Sequence, residues 1–164
     1  MGKCLKYVIL KGYVREDKVL VRFLRFIEDA SGKVIEVDEF NRRVICVIPV
    51  SKFNDIVGTI IDYTRGYSFN VKASCSVDSI SSIEHNIKSI GFFLRVGLNM
   101  YYVLVCGRVV EVVFKRNNIN IKVGAPRNTL PKPPIPPSLF IFDDHSIAYA
   151  IKDLDEIIKV LGLA

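Results

Sequence analysis

The chain contains no tryptophan and no glutamine, and between residues 101 and 142 its only acidic residue is Glu111. It also has no long hydrophobic run. Uninterrupted apolar stretches such as Val44–Val50 reach seven residues, against the roughly 20 that a bilayer-spanning helix needs. The opening segment, MGKCLKYVILKG, holds four apolar residues in a row, too few for the core of a secretion signal. Position 6 is Lys6 rather than Ser or Thr, so Gly2 does not open a myristoylation motif. These absences predict a soluble cytoplasmic protein that does not engage a membrane.

The cysteines Cys4, Cys46, Cys75 and Cys106 stand far apart. The close C-x₂₋₄-C pairs of a zinc knuckle are therefore missing. So are a phosphate-binding loop, a G-x-S-x-G elbow, an H-E-x-x-H helix and a Rossmann glycine set. No metal and no cofactor are expected. Cys4, Cys46 and Cys106 lie in apolar runs, where a free thiol packs as a small hydrophobe. A disulfide would fit a hyperthermophilic source. The lack of Gln and the abundance of Ile and Val point the same way, but nine Asn point against it, and composition leaves the source open.

Half of the 164 residues are apolar and 24% are charged. This is one globular domain with enough length to bury a core. The net charge of +6 is unevenly spread. Residues 1–100 carry a net of +4, residues 101–142 a net of +5, and residues 143–164 a net of −3. A basic stretch followed by an acidic tail suits a polyanionic partner, because Lys and Arg release counterions on meeting phosphate. The alternative is a solvated basic surface neutralised by the tail.

Residues 4–14 read as a strand, and REDK as a turn. The run VLVRFLRFI is dense in β-branched and aromatic residues, which predicts a strand, paired through EDASGK with VIEVDEF. As a helix it would instead align Arg15, Lys18, Arg22 and Arg25 on one face. VICVIPV is apolar on both faces and predicts a central strand. A helix follows, capped by Ser51, with Phe53, Ile56, Val57, Ile60 and Ile61 inward and Gly66 as its left-handed stop. SFNVKASC alternates, placing Phe69, Val71, Ala73 and Cys75 inside and Lys72 outside. A second helix starts near Asp78 or Ser81, buries Ile80, Ile83, Ile87 and Ile90, and closes at Gly91. FFLRVGL, YYVLVCG and the hairpin RVVEVVFK–RNN–INIKV are strands.

Six of the seven prolines fall within residues 124–142. Proline lacks the amide donor of a ladder, so residues 125–138 should avoid the sheet and adopt polyproline II. Neither Arg127 nor Lys132 has the spacing of an SH3 ligand around PxxP. The interspersed Leu130, Ile135, Leu139 and Phe140 want burial. We read a stiff strap across the body. The final helix carries Ile147, Ile151, Leu154, Ile158 and Leu161 at spacings of 4, 3, 4 and 3. That seam could pack on the parent sheet, on a second copy of the chain or on another protein.

Two constellations could carry chemistry. Cys75 precedes a helix start, with His85 ten residues on, although its phase points it inward. Asp143, Asp144 and His145 precede the last helix, where the aspartates serve equally well as cap and dipole partners. Neither makes a complete catalytic set, and the chain is read as non-catalytic. The nucleic-acid candidates are Phe93 and Arg95, on one strand face, with Tyr101, Arg108, Lys115, Arg116, Lys122, Arg127 and Lys132. Aromatics interleaved with cations can stack bases and hold phosphates, though no stretch matches the RNP signature of an RRM.

The sequence therefore predicts a single α+β domain with a mostly antiparallel mixed sheet and two central helices. Residues 1–123 form the core and residues 124–138 the proline-rich strap. Residues 139–164 form a short strand and a C-terminal helix. The expected function is non-catalytic binding of DNA or RNA, single-stranded or without sequence preference, through a basic sheet face and hairpin. The competing expectation is an accessory subunit docking through the strap and last helix.

Overall fold

A computed structural model describes residues 4–126, residue 130 and residues 147–163. Its elements, in chain order, begin with β1 (Cys4–Val14), a 3₁₀ turn (Asp17–Val19), α1 (Leu20–Asp29), β2 (Lys33–Asp38) and β3 (Arg43–Pro49). Then come α2 (Val50–Tyr63), β4 (Thr64–Ser76) and α3 (Ile80–Ile90). The last are β5 (Phe93–Gly97), β6 (Met100–Val105), β7 (Arg108–Lys115), β8 (Asn118–Pro126) and α4 (Ile147–Val160). The eight strands form one sheet in the order β2-β3-β1-β4-β8-β7-β6-β5. Every neighbouring pair is antiparallel.

The first six elements run βαββαβ, with β3 between β1 and β2, and β1 between β3 and β4. This is the split βαβ arrangement. It explains the main departure from the sequence reading. VLVRFLRFI is not a strand but most of α1, because β1 must cross to β2 with β3 in between. Its buried residues, Leu20, Phe23 and Ile27, fall at helical spacing. Arg15, Lys18, Arg22 and Arg25 lie exposed along the turn and helix. Gly32 then brings the chain into β2. A Cβ there would meet the Ile27 carbonyl oxygen at 2.8 Å and that of Val47 at 3.1 Å.

The second half adds the meander β5-β6-β7-β8, joined to the first through β4 and β8. The buried residues of all four helices belong to one cluster with Val8, Leu10, Phe69, Val71, Val112, Phe114, Ile119 and Ile121. The described helices thus lie on one face of the sheet; on the other, among the described residues, Leu130 packs against Tyr102 and Val109. SFNVKASC alternates as expected, with Phe69, Val71, Ala73 and Cys75 at 0% exposure.

Several boundaries differ from expectation. α2 starts after Pro49 rather than at a Ser51 cap, and it stops at Thr64 as the backbone turns extended. Gly66 is no helix cap; it lies in β4 opposite Tyr13. α3 begins after Ser79, and Gly91 ends it at φ 84°, the left-handed conformation that glycine takes without steric cost. β8 runs on to Pro126, opposite Arg108, so Ala125 and Pro126 belong to the ladder. A proline is tolerated there at the end of a strand. Of the strap, only this beginning and Leu130 are described. Leu130 is half-buried against Tyr102 and Val109. The expected short strand after residue 139 lies outside the described residues.

Candidate functional site on the sheet face opposite the helices

The register of the strands sets the composition of the face opposite the helices. Tyr7 is opposite Lys72, Lys72 opposite Lys122, Lys122 opposite Glu111, and Glu111 opposite Tyr102. These residues form one row across β1, β4, β8, β7 and β6. They are out of phase with the core residues of their own strands, so all five point away from the helices. The neighbouring row runs Leu5, Ser74, Asn120, Val113 and Met100. Between the rows, Lys72, Glu111, Val113, Lys115, Asn120 and Lys122 line an open recess of ≈ 240 Å³.

Like charges directly opposite each other in a ladder are destabilising, on the scale of about 0.2–1 kcal/mol. Lys72 and Lys122 are such a pair. Lys122 is also half-buried. Burial holds its ammonium below the ordinary lysine range, Lys72 lowers it further, and Glu111 partly offsets both. Tyr7 and Tyr102 have their phenols raised by burial, and Glu111 adds to the effect at Tyr102. Asn118 donates its amide to the Ser74 hydroxyl at 2.8 Å, which fixes the far wall of β4 and β8.

The predicted nucleic-acid residues do not form one surface. Lys115 and Lys122 line the recess. Arg116, exposed at the tip of the β7–β8 hairpin, lies beside a second hollow with Ile80, Glu84, Asn99, Phe114 and Lys115, so Lys115 borders both. Phe93 and Tyr101 are on the helix side, their ring centroids 6.1 Å apart. Tyr101 is 1% exposed and meets Phe114 edge-on at 5.7 Å. Tyr101 fills the core on the helix side, and Phe93 is partly buried against it. Arg95 stays on that side, its guanidinium 5.9 Å from the Tyr101 centroid, and donates to the carbonyls of Gly97 and Leu98. Arg108 is buried. It donates from Nε to Asp153 Oδ2 at 2.8 Å and from Nη1 to the Gly124 carbonyl, so it ties β7 to α4 and is not a phosphate contact. Arg127 and Lys132 lie outside the described residues.

The C-terminal seam is also spoken for. Ile147, Ile151, Leu154, Ile158 and Leu161 are buried within this chain, on a helix that packs against β4 and β8. They face this chain's own sheet. Cys75 is bonded to Cys4 and so offers no nucleophile. Cys46 is a buried free thiol, as expected, but Cys106 is exposed, in the turn after β6 at φ 54°. His85 is exposed on α3. Asp143, Asp144 and His145 lie outside the described residues. Among the described residues, no three His, Cys, Asp or Glu side chains gather as metal ligands, and no helix is long and apolar enough to cross a membrane.

The sequence reading missed Lys72, Asn120 and Glu111 as members of the site. Alternation already pointed Lys72 and Asn120 outward. What it could not supply was the adjacency of β4 and β8, which are separated by a helix and three strands. No family model and no curated protein matches this chain. Among solved structures, the regulatory subunit of aspartate kinase from Thermus flavus is similar at 7% identity and a TM-score of 0.28. That match covers 74% of this chain and 86% of the other. A likeness this distant carries no argument about function.

Proposed function

We propose that the protein binds nucleic acid, DNA or RNA, without catalysis, through the sheet face opposite the helices and the β7–β8 hairpin. The observation that carries this reading is the meeting of Lys72, Lys122 and Lys115 in one open recess on the sheet face opposite the described helices. The lysines supply an electrostatic hold for a polyanion. Arg116 at the hairpin tip extends the basic surface. Phe93 and Tyr101, on the helix side, take no part, so the binding is mainly ionic.

The test is fluorescence anisotropy of labelled DNA and RNA oligomers between about 50 and 200 mM salt. Micromolar binding with a slope of several counterions is expected. Arg116→Glu with Lys122→Glu should abolish it, while Ile151→Val, a core change in α4, should leave it unchanged at temperatures where the fold is intact. Absence of binding at the lowest salt would remove the reading.

A further inference from the structure

We infer that Lys72 and Lys122, with Lys115 at the rim, form a seat for one backbone phosphate, and that the seat admits a single strand while excluding a duplex. The inference deepens the nucleic-acid reading and rests on it. It begins from the directly opposed pair Lys72↔Lys122. The two ammonium groups stand side by side on a face that, among the described residues, no helix covers. An anion placed between them turns the repulsion into two charge-assisted hydrogen bonds. The partial burial of Lys122 means that part of its desolvation is already incurred before the ligand arrives. Asn120, in the next row and lining the same recess, adds a neutral amide donor.

Shape and charge along the row set the path of the ligand. The recess of ≈ 240 Å³ lies at the level of the sheet, between side chains of β4, β8 and β7. A flexible strand can lower one phosphate into it. A duplex is stiff, with a persistence length of about 150 bp, and keeps its phosphates on a convex surface with the second strand beside them. Glu111 follows Lys122 in the row and repels a phosphate beyond it. Tyr7 stands on the other side, next to Lys72. The strand therefore leaves the seat toward β1, where the half-buried Tyr7 ring is the stacking partner for the adjoining base.

The experiment compares one labelled single strand with its own duplex, using the full chain. Lys72→Met and Lys122→Met keep the aliphatic stem and remove the charge. Each should weaken single-strand binding about 5- to 10-fold, and the double variant should lose little more than either alone, because both hold the same phosphate. Neither should lower the melting temperature, since each relieves the opposed charge. Lys52→Met, which removes the same charge from α2, should change binding less than about 2-fold. Glu111→Gln should tighten it. In a separate titration with inorganic phosphate, the Lys72 and Lys122 side-chain NMR signals should shift together. Equal affinity for duplex and single strand, or independent losses from the two lysines, would overturn the seat while leaving the nucleic-acid reading standing. No binding to either form would remove both.

Discussion

Cys46 lies in the middle of β3 with 0% exposure, and burial pushes its thiol up to about 12 from an ordinary 9.0. The folded state therefore keeps the Cys46 proton over a range in which the unfolded chain gives it up. A raised pKa of this kind contributes stability that is whole below pH 9 and is lost as pH climbs toward 12. Chemical denaturation at pH 8 and at pH 11 should show wild type losing more stability than Cys46→Ala, which has no thiol to titrate. The variant itself should be less stable at pH 8, by about 1 kcal/mol, through the small cavity it leaves. Equal pH dependence of the two proteins would mean that Cys46 is not held protonated by the core. Lys122 has the opposite sign. Its ammonium is disfavoured in the fold, so its share of stability improves as pH rises through its lowered value toward 10.5, and comparison with Cys46→Ala keeps the two effects apart.

At the level of elements, the Arg108–Asp153 pair joins the first residue of β7 to the middle of α4. Arg108 is 4% exposed and Asp153 is 32% exposed at the side chain. Removing the Asp153 carboxylate takes away one charged hydrogen-bond partner of the buried Arg108, which keeps its bond to the Gly124 carbonyl, at a cost of about 1.5 kcal/mol. Asp153→Asn should therefore destabilise the fold by roughly that much and lower its thermal midpoint by several degrees, and a change under about 0.5 kcal/mol would show α4 to be held by its apolar face alone. The same pair shows where sequence reasoning stopped. Arg108 lies in a basic stretch and nothing near it in sequence suggests burial; its partner is 45 residues away. Several local signals were readable, though the ends of α2, expected at Ser51 and Gly66, were not. The readable ones include the alternation of Phe69 to Cys75, the β7–β8 hairpin and the Gly91 cap. α1 was misread because β-branched and aromatic density reports burial as well as strand preference. The decisive fact was a crossover that only the strand order reveals.

At the level of the whole molecule, the described helices lie on one side of the sheet, and its two halves meet at β4 and β8. β1 and β4 are also joined by the Cys4–Cys75 disulfide, which spans 71 residues of sequence and links directly opposite positions. Pairing of these cysteines was not legible, because each sits in an apolar run and its partner is set by register. In the chain-entropy account, a crosslink over a loop of this length stabilises the fold by about 4 kcal/mol. That is a large part of the 5–15 kcal/mol typical of a domain. Reduction, or Cys4→Ser with Cys75→Ser, should shift the denaturation midpoint down by the corresponding amount. Cys4 and Cys75 lie three positions along their strands from Tyr7 and Lys72 and belong to the helix side, whereas the lysine recess is on the other. Below the unfolding transition, then, the reduced protein should bind a single strand as tightly as the oxidised one. A matched loss of affinity on reduction, with the fold intact by circular dichroism, would mean that the crosslink sets the Tyr7–Lys72–Lys122 row as well as the stability of the sheet.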